Sequence, residues 1–209
     1  MTIEVVKFFQ SLRNDFLDRF FNTISFLGEE YVYILILAIV YFGVSQKKGE
    51  FLAFILFFTG VFNTWIKGIF AADRPFEKYP NDVVNLRPET SPGHSVASGH
   101  TQNVTAFLTS IAILLKKKRY LIIMAILVVL MAISRMYLGV HFLEDVIVAI
   151  VLGLVTAYVG NYFFTKYYDK RLKVYCVIGI IGLLSVVFIQ DESFLKALGY
   201  YLGFVGAMY

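Results

Sequence analysis

About six apolar stretches follow one another along this chain: Tyr31 to Val44, Phe51 to Phe70, Ser98 to Leu115, Tyr120 to Tyr137, Val146 to Phe164 and Val174 to Gln190. A helix needs roughly 20 apolar residues to cross the hydrocarbon of a bilayer, so most of these reach or nearly reach the length, the first only if it begins near Ile24. With 58% hydrophobic and 17% aromatic residues and a mean hydropathy of +0.70, the 209-residue chain lies far outside the soluble globular range. It reads as an all-α integral membrane protein, a bundle of about six transmembrane helices forming one domain over residues 1–209. No internal repeat, low-complexity tract or linker divides it.

Charge is partitioned among the connections. Lys47 and Lys48, then Lys116, Lys117, Lys118 and Arg119, then Lys166, Lys170, Arg171 and Lys173 fall in alternate loops, opposed only by Glu50 and Asp169. Basic short loops stay in the cytoplasm, which places the remaining connections on the outer side of a cell membrane. The net charge of +4 is thereby accounted for as topology signal and anion ligands, and needs no nucleic acid partner. Before the first span, Val5, Phe8, Phe9, Leu12, Phe16 and Phe20 recur at helical spacing among charged residues, which predicts an amphipathic interfacial helix over 1–23. No basic region precedes a continuous apolar core with a cleavage site, so this is not a signal peptide. Glu29 and Glu30 follow, expected in a wet interfacial position rather than closing over a site or meeting a loop cation.

Three short segments on that outer side carry the chemistry: Lys67 to Pro75, Ser98 to His100 and Ser134 to Asp145, spelling K-x6-R-P, S-G-H and S-R-x5-H-x3-D. Lys67 and Arg74, seven residues apart, project from one face if the segment stays helical, until Pro75 stops it. Ser98, Gly99 and His100 precede an apolar run and predict a helix first turn, whose free N–H groups bind an anion beside His100. His141 and Asp145, at i and i+4 on a helix expected after Gly139, place a carboxylate against Nδ1 and leave Nε2 free to attack phosphorus. Ionisable residues in membrane segments are rare and default to function. Arg135 adds a forked phosphate donor, while Ser134 reads as bonding to backbone and Glu144 as facing water. The inventory suits transfer of a phosphoryl group through a histidine without a metal.

Taken together, these ten positions at fixed internal spacing resemble the type 2 phosphatidic acid phosphatase family, integral-membrane relatives of vanadium haloperoxidases. The resemblance implies a haloperoxidase-like phosphatase core with His141 as the phosphohistidine and Asp145 orienting it. It also implies His100 as acid and later base, with Lys67, Arg74, Ser98, Gly99 and Arg135 binding phosphate. No cofactor or metal is implied, and the partner is a membrane lipid substrate. The family usually has Pro where this chain has Ala97, which predicts a looser turn before Ser98.

All four prolines lie between Pro75 and Pro92, in a long polar connection whose residues 76–97 read as an outer loop or lid selecting a headgroup. His94 is taken as a loop residue. Cys176, the only cysteine, reads as a small buried hydrophobe. The tail at 191–209 is apolar, with Gly199, Gly203 and Gly206 at close-packing spacing.

The leading expectation is a metal-independent lipid phosphatase acting on polyprenyl diphosphate, phosphatidylglycerol phosphate or phosphatidic acid, with its site on the outer face. Undecaprenyl diphosphate stands first if the source is bacterial, since an outward-facing site is where spent carrier lipid appears and a diphosphate offers a phosphate leaving group, with Lys78 or Arg87 to engage the second phosphate. The alternatives are a lipid phosphotransferase using the same His, and a non-enzymatic lipid transporter or scaffold; the His141–Asp145 pairing argues against the latter, because phosphate binding alone does not need it.

Overall fold

The computed structural model describes residues 2–116 and 118–208. Among the described residues there are ten α-helices: α1 Ile3–Ser11, α2 Asp15–Phe26, α3 Glu30–Gly43, α4 Gln46–Phe70, α5 Pro75–Lys78, α6 Gly99–Leu115, α7 Lys118–Tyr137, α8 Leu143–Lys166, α9 Arg171–Ser185 and α10 Glu192–Ala207. Among the described residues, three stretches are long and apolar enough to cross a membrane: Gln46–Lys78, Arg119–Tyr137 and Leu143–Lys166. The first is interrupted between α4 and α5. The pair α2 and α3, bent by 47°, makes a fourth if it is one span. Three or four spans by length and apolarity fall below the six expected, because α3, α6 and α9, at 14, 17 and 15 residues, are short for hydrocarbon.

α4, α6 and α8 pack together, with α7 against α6 and α10 against α4. The shared core is aromatic: Phe51 and Phe54 of α4 meet Phe164 and Tyr175, while Phe107 meets Tyr33 edge-on. α6 and α8 both begin at one end of the bundle, where α4 and α7 finish. At the opposite end Lys47 lies 3.8 Å from the Tyr168 ring centre and Arg171 pairs with Glu50 at 2.6 Å, so two of the three basic connections are neighbours in space. Of the third, Lys117 and the side chain of Lys118 lie outside the described residues.

α6 and α8 approach closely at Gly153, where a Cβ would stand 2.7 Å from Thr105 Cβ and 2.8 Å from the Gln102 carbonyl oxygen. A backbone carbonyl and the root of the Thr105 side chain leave nothing to swing aside. Gly153→Val is therefore expected to cost about 1–3 kcal/mol, read as a lowered thermal midpoint in detergent. An unchanged midpoint rules out the close packing.

The single interfacial helix expected over 1–23 is two helices. Asn14 accepts from the Leu17 N–H at 3.0 Å and starts α2 afresh, a capping signal that the apolar periodicity hides. α1 and α2 rest on α7 and on the long connection: the Gln10 amide donates to Val84 O at 2.7 Å and accepts from Val84 N at 3.0 Å, Lys7 pairs with Asp82, and the Tyr137 hydroxyl donates to Asp18 at 2.5 Å. Phe8, Phe16 and Phe20 face outward.

The apolar tail forms α10, which buries Phe194, Leu198, Tyr201 and Phe204 against the bundle. Gly199, Gly203 and Gly206 meet nothing within 4 Å, so they do not mediate a close contact; the aromatic stripe does. Cys176 is exposed rather than buried, as an apolar thiol facing lipid is free to be.

Candidate active site

α4 ends at Phe70, where Ala71 turns the backbone left-handed at φ 42°, and Arg74 precedes α5 with Pro75 as its first residue. Pro75 thus starts a helix instead of stopping one, and Lys67 and Arg74 do not share a helical face. They converge by another route. Lys67 Nζ donates to the His94 carbonyl at 2.5 Å, while Arg74 Nε and Nη2 donate to the carbonyls of Gly93 and Pro92 at 2.9 and 2.8 Å. Arg74 Nη1 donates to Val140 O at 2.9 Å and lies 3.2 Å from His141 Nε2.

His141 is not on α8: it lies two residues before the helix, held by the turn at Gly139, whose φ is +75°. α8 begins after Phe142, whose N–H donates to Asp145 Oδ2 at 2.8 Å, and Ser95 Oγ donates to the same oxygen at 2.5 Å. That carboxylate oxygen is 3.5 Å from His141 Nδ1. A guanidinium only donates, so Nε2 facing Arg74 presents its lone pair and the ring proton sits on Nδ1, toward Asp145. Burial, with the Arg74, Lys67 and Arg135 cations nearby, pushes the His141 imidazole well below its ordinary pKa. The ring is neutral at neutral pH.

Ser98 caps α6 as expected, with its N–H donating to Asp145 O at 3.3 Å and its oxygen 3.0 Å from Thr101 Oγ1. Asn63 donates to Ala97 O at 3.1 Å and to Gln102 at 2.8 Å, so the turn without proline is pinned from α4. Arg135 is buried and donates to Ser25 and to Thr90 O. A cavity of about 130 Å³ joins these parts, walled by Lys67, Arg74, Gly99, His100 and His141 with Thr64, Thr90, Pro92 and Ser193. Ser98, Asp145 and Arg135 stand behind that wall. Among the described residues, Lys67, Arg74 and Arg135 form no ion pair with a carboxylate, although all three are buried. Three buried cations without a direct ion pair, beside a neutral imidazole, make an anion site.

Similarity to known proteins agrees with this geometry. The model of the PAP2 superfamily matches residues 50–169, more than half of the chain. The chain belongs to the PAP2 superfamily. Phosphatidylglycerophosphatase B of Bacillus subtilis (strain 168) is 32% identical over 120 residues, which cover 50% of this chain and 57% of that relative, so the match spans little more than half of its length. The crystal structure of Aquifex aeolicus LpxE superposes with a TM-score of 0.63 at 26% identity, covering 76% of this chain and 93% of that one. The first transmembrane PAP2 type phosphatidylglycerolphosphate phosphatase from Bacillus subtilis shares the fold, with a TM-score of 0.68 at 24% identity over 78% of this chain and 84% of the other. The PAP2 motifs lie within the matched region, and the protein is integral to a membrane.

Several site residues escape the motifs. Ser95 on Asp145 has no helical or spacing signature, and the Thr90 hydroxyl, buried and without a partner on the cavity wall, comes from the long connection. Ser193 arrives from α10, beyond the PAP2 match. Glu144, expected to face water, accepts from Thr2 N and Oγ1 at 2.8 and 3.0 Å, and Ser134 donates to Met131 O at 2.7 Å, bonding to backbone as expected. Glu29 meets a loop cation after all: Arg87 pairs with it and with Glu89, the latter at 2.6 Å. Arg87 is therefore already occupied, and Lys78 lies against the Tyr79 ring, 5.8 Å from its centre. Arg87 does not stand free for a second phosphate, whereas Lys78 is exposed.

Proposed function

We propose that the chain hydrolyses a terminal phosphate from a membrane lipid through a phosphohistidine on His141. The observation that carries this reading is the neutral His141 set among three buried cations that lack carboxylate partners. Nε2 attacks phosphorus as the bond to the leaving oxygen breaks, and His100 delivers a proton to that oxygen. Asp145 balances the charge that develops on the His141 ring. His100, now neutral, takes a proton from water as the water oxygen attacks phosphorus; the N–P bond breaks and inorganic phosphate leaves. His100 suits this role because its buried Nε2 has no partner and the residue walls the cavity. Lys67, Arg74 and the α6 first turn at Gly99 take the equatorial oxygens, with Ser98 capping that turn and Arg135 behind. Phosphate release from purified protein, across undecaprenyl diphosphate, phosphatidylglycerol phosphate, phosphatidic acid and a soluble ester, tests the reading. Release from the soluble ester alone sinks lipid specificity, and no release from any sinks the activity.

The donor set is rich in cations and N–H groups and poor in carboxylates, which suits an oxyanion rather than a divalent cation. Activity is expected to persist in a strong chelator and to fall with vanadate, a phosphate analogue. A chelator-dependent loss restored by a divalent metal overturns this expectation.

In the membrane we read α2 with α3, α4, α6, α7, α8 and α9 as a bundle of about six crossings, α1 as interfacial, and the cavity end as outward-facing. The basic residues at the opposite end support that orientation. With Cys176→Ser as background, a cysteine at Val84, which is 53% exposed, is expected to label from outside intact cells, and one at Lys116 is not. The reverse pattern inverts the orientation.

A further inference from the structure

Two cavities that share no wall residue with the one beside His141 join into a single groove between α4 and α9. The first, of about 460 Å³, runs from Tyr167 and Val174 to Phe58; the second, of about 280 Å³, continues to Trp65 and Ser185, and Phe58, Ile178 and Ile181 line both. On the α4 side the rings of Phe54, Phe58, Phe62 and Trp65 follow one another nearly parallel, with 5.9, 6.2 and 6.3 Å between successive centres, and form a flat apolar track. Val177 and Ile181 are exposed, so the groove is open toward lipid. Lys170 and Lys173 close the end opposite Trp65.

Those two lysines differ from their neighbours. Arg171 is taken by Glu50, Lys166 by the Tyr162 hydroxyl and Lys47 by the Tyr168 ring. Lys170 and Lys173 are exposed, and among the described residues neither forms an ion pair or a side-chain hydrogen bond, even with the adjacent Asp169. From Lys173 to Ser185 the helix rises about 18 Å, close to the depth of one leaflet, about 15 Å or half the hydrocarbon core. The groove is thus as deep as a leaflet, with two free cations where the phosphates of that leaflet lie. A zwitterionic phospholipid carries its own cation to that level and gains little from the lysines, whereas an anionic one neutralises them. A second copy of this chain, docked by a two-fold axis along the membrane normal, would set the same lysines against each other.

We propose that this groove binds an anionic phospholipid of the leaflet at the basic end of the bundle, its phosphate on Lys170 and Lys173 and an acyl chain along the ring stack toward Trp65. The lipid is held here, not hydrolysed, and the site stands whether or not the phosphatase reading does. Trp65 is the only tryptophan of the chain, so its fluorescence reports occupation of the far end of the groove. The test places the protein in phosphatidylcholine bilayers and adds phosphatidylglycerol or phosphatidylcholine with brominated chains, which quench indole on contact. Half-maximal quenching is expected at an about fivefold lower mole fraction of the brominated phosphatidylglycerol, a preference that falls as salt is raised. Lys170→Gln combined with Lys173→Gln is expected to erase the preference. Quenching by brominated phosphatidylcholine, unchanged in that variant, shows in the same experiment that the fold around Trp65 is intact. Equal quenching of the wild type by both lipids overturns the proposal. So does a preference that survives the double variant, since phosphatidylglycerol then acts from elsewhere, the cavity beside His141 included. Trp65 shielded from both lipids in a protein that migrates as a dimer assigns the face to a second copy and overturns it too.

Discussion

On the proposed phosphohistidine mechanism, His141→Ala is expected to lower phosphate release on the order of 10⁴-fold or more, since it removes the atom to which phosphorus would be transferred. His100→Ala is expected to lose about 10²–10⁴-fold on lipids with a poor leaving oxygen, and far less on an ester whose leaving group is acidic and needs no proton. The pH profile follows from the same assignment. Attack requires His141 without a proton on Nε2, and burial beside Arg74, Lys67 and Arg135 depresses its pKa below the ordinary 6.5. Activity is therefore expected to hold as pH falls through 6.5 and to fail only at lower values, where the ring takes up its second proton. The proton that His100 donates is expected to matter little for the acidic leaving group. Equal losses from both variants for every leaving group, with one unchanged bell-shaped profile, would falsify the division of labour between the two histidines.

The helices and the side chains that meet at the cavity are legible in the sequence because each leaves a local mark. Apolar runs bounded by charge gave α4, α6, α7 and α8, and Ser98 before an apolar run gave a helix start that the structure bears out. The boundaries near the site were not legible, since they depend on tertiary partners. The left-handed Ala71 ends α4 three residues before Arg74, and what redeems the lost helical face is the carbonyl row at Pro92, Gly93 and His94, which Lys67 and Arg74 both engage. The same holds for His141. Its spacing to Asp145 suggested a helical pair, whereas an extended residue followed by a helix first turn brings Nδ1 and the carboxylate to 3.5 Å just as well. Contacts such as Ser95 with Asp145, or Arg87 with Glu29, join residues dozens of positions apart with no periodicity between them. Only the folded connection brings them together.

Arg74→Lys is expected to cost about 10²–10³-fold in kcat/KM, the usual loss when one donor is removed from a preorganised oxyanion site, although the charge is kept. The guanidinium makes three separate attachments, to the carbonyls at Pro92, Gly93 and Val140, and still has Nη1 at 3.2 Å from the His141 nitrogen. It therefore joins the connection before α6 to the turn before α8 and sets Nε2 as acceptor at once. An ammonium has no fork; it can serve one of these attachments or face the phosphate, but not hold both sides. Arg135→Lys provides the contrast. Arg135 stands behind the cavity wall, bonded to Ser25 and Thr90, so its replacement is expected to act through the field at phosphate and to cost less. The two lysine variants are compared by kcat/KM and by vanadate inhibition, which reports the phosphate site without leaving-group chemistry. Arg74→Lys is expected to weaken vanadate as well as turnover. If Arg135→Lys proves the more damaging, or Arg74→Lys leaves vanadate inhibition intact, Arg74 is a structural tie alone and the phosphate is held chiefly by Lys67 and the α6 first turn.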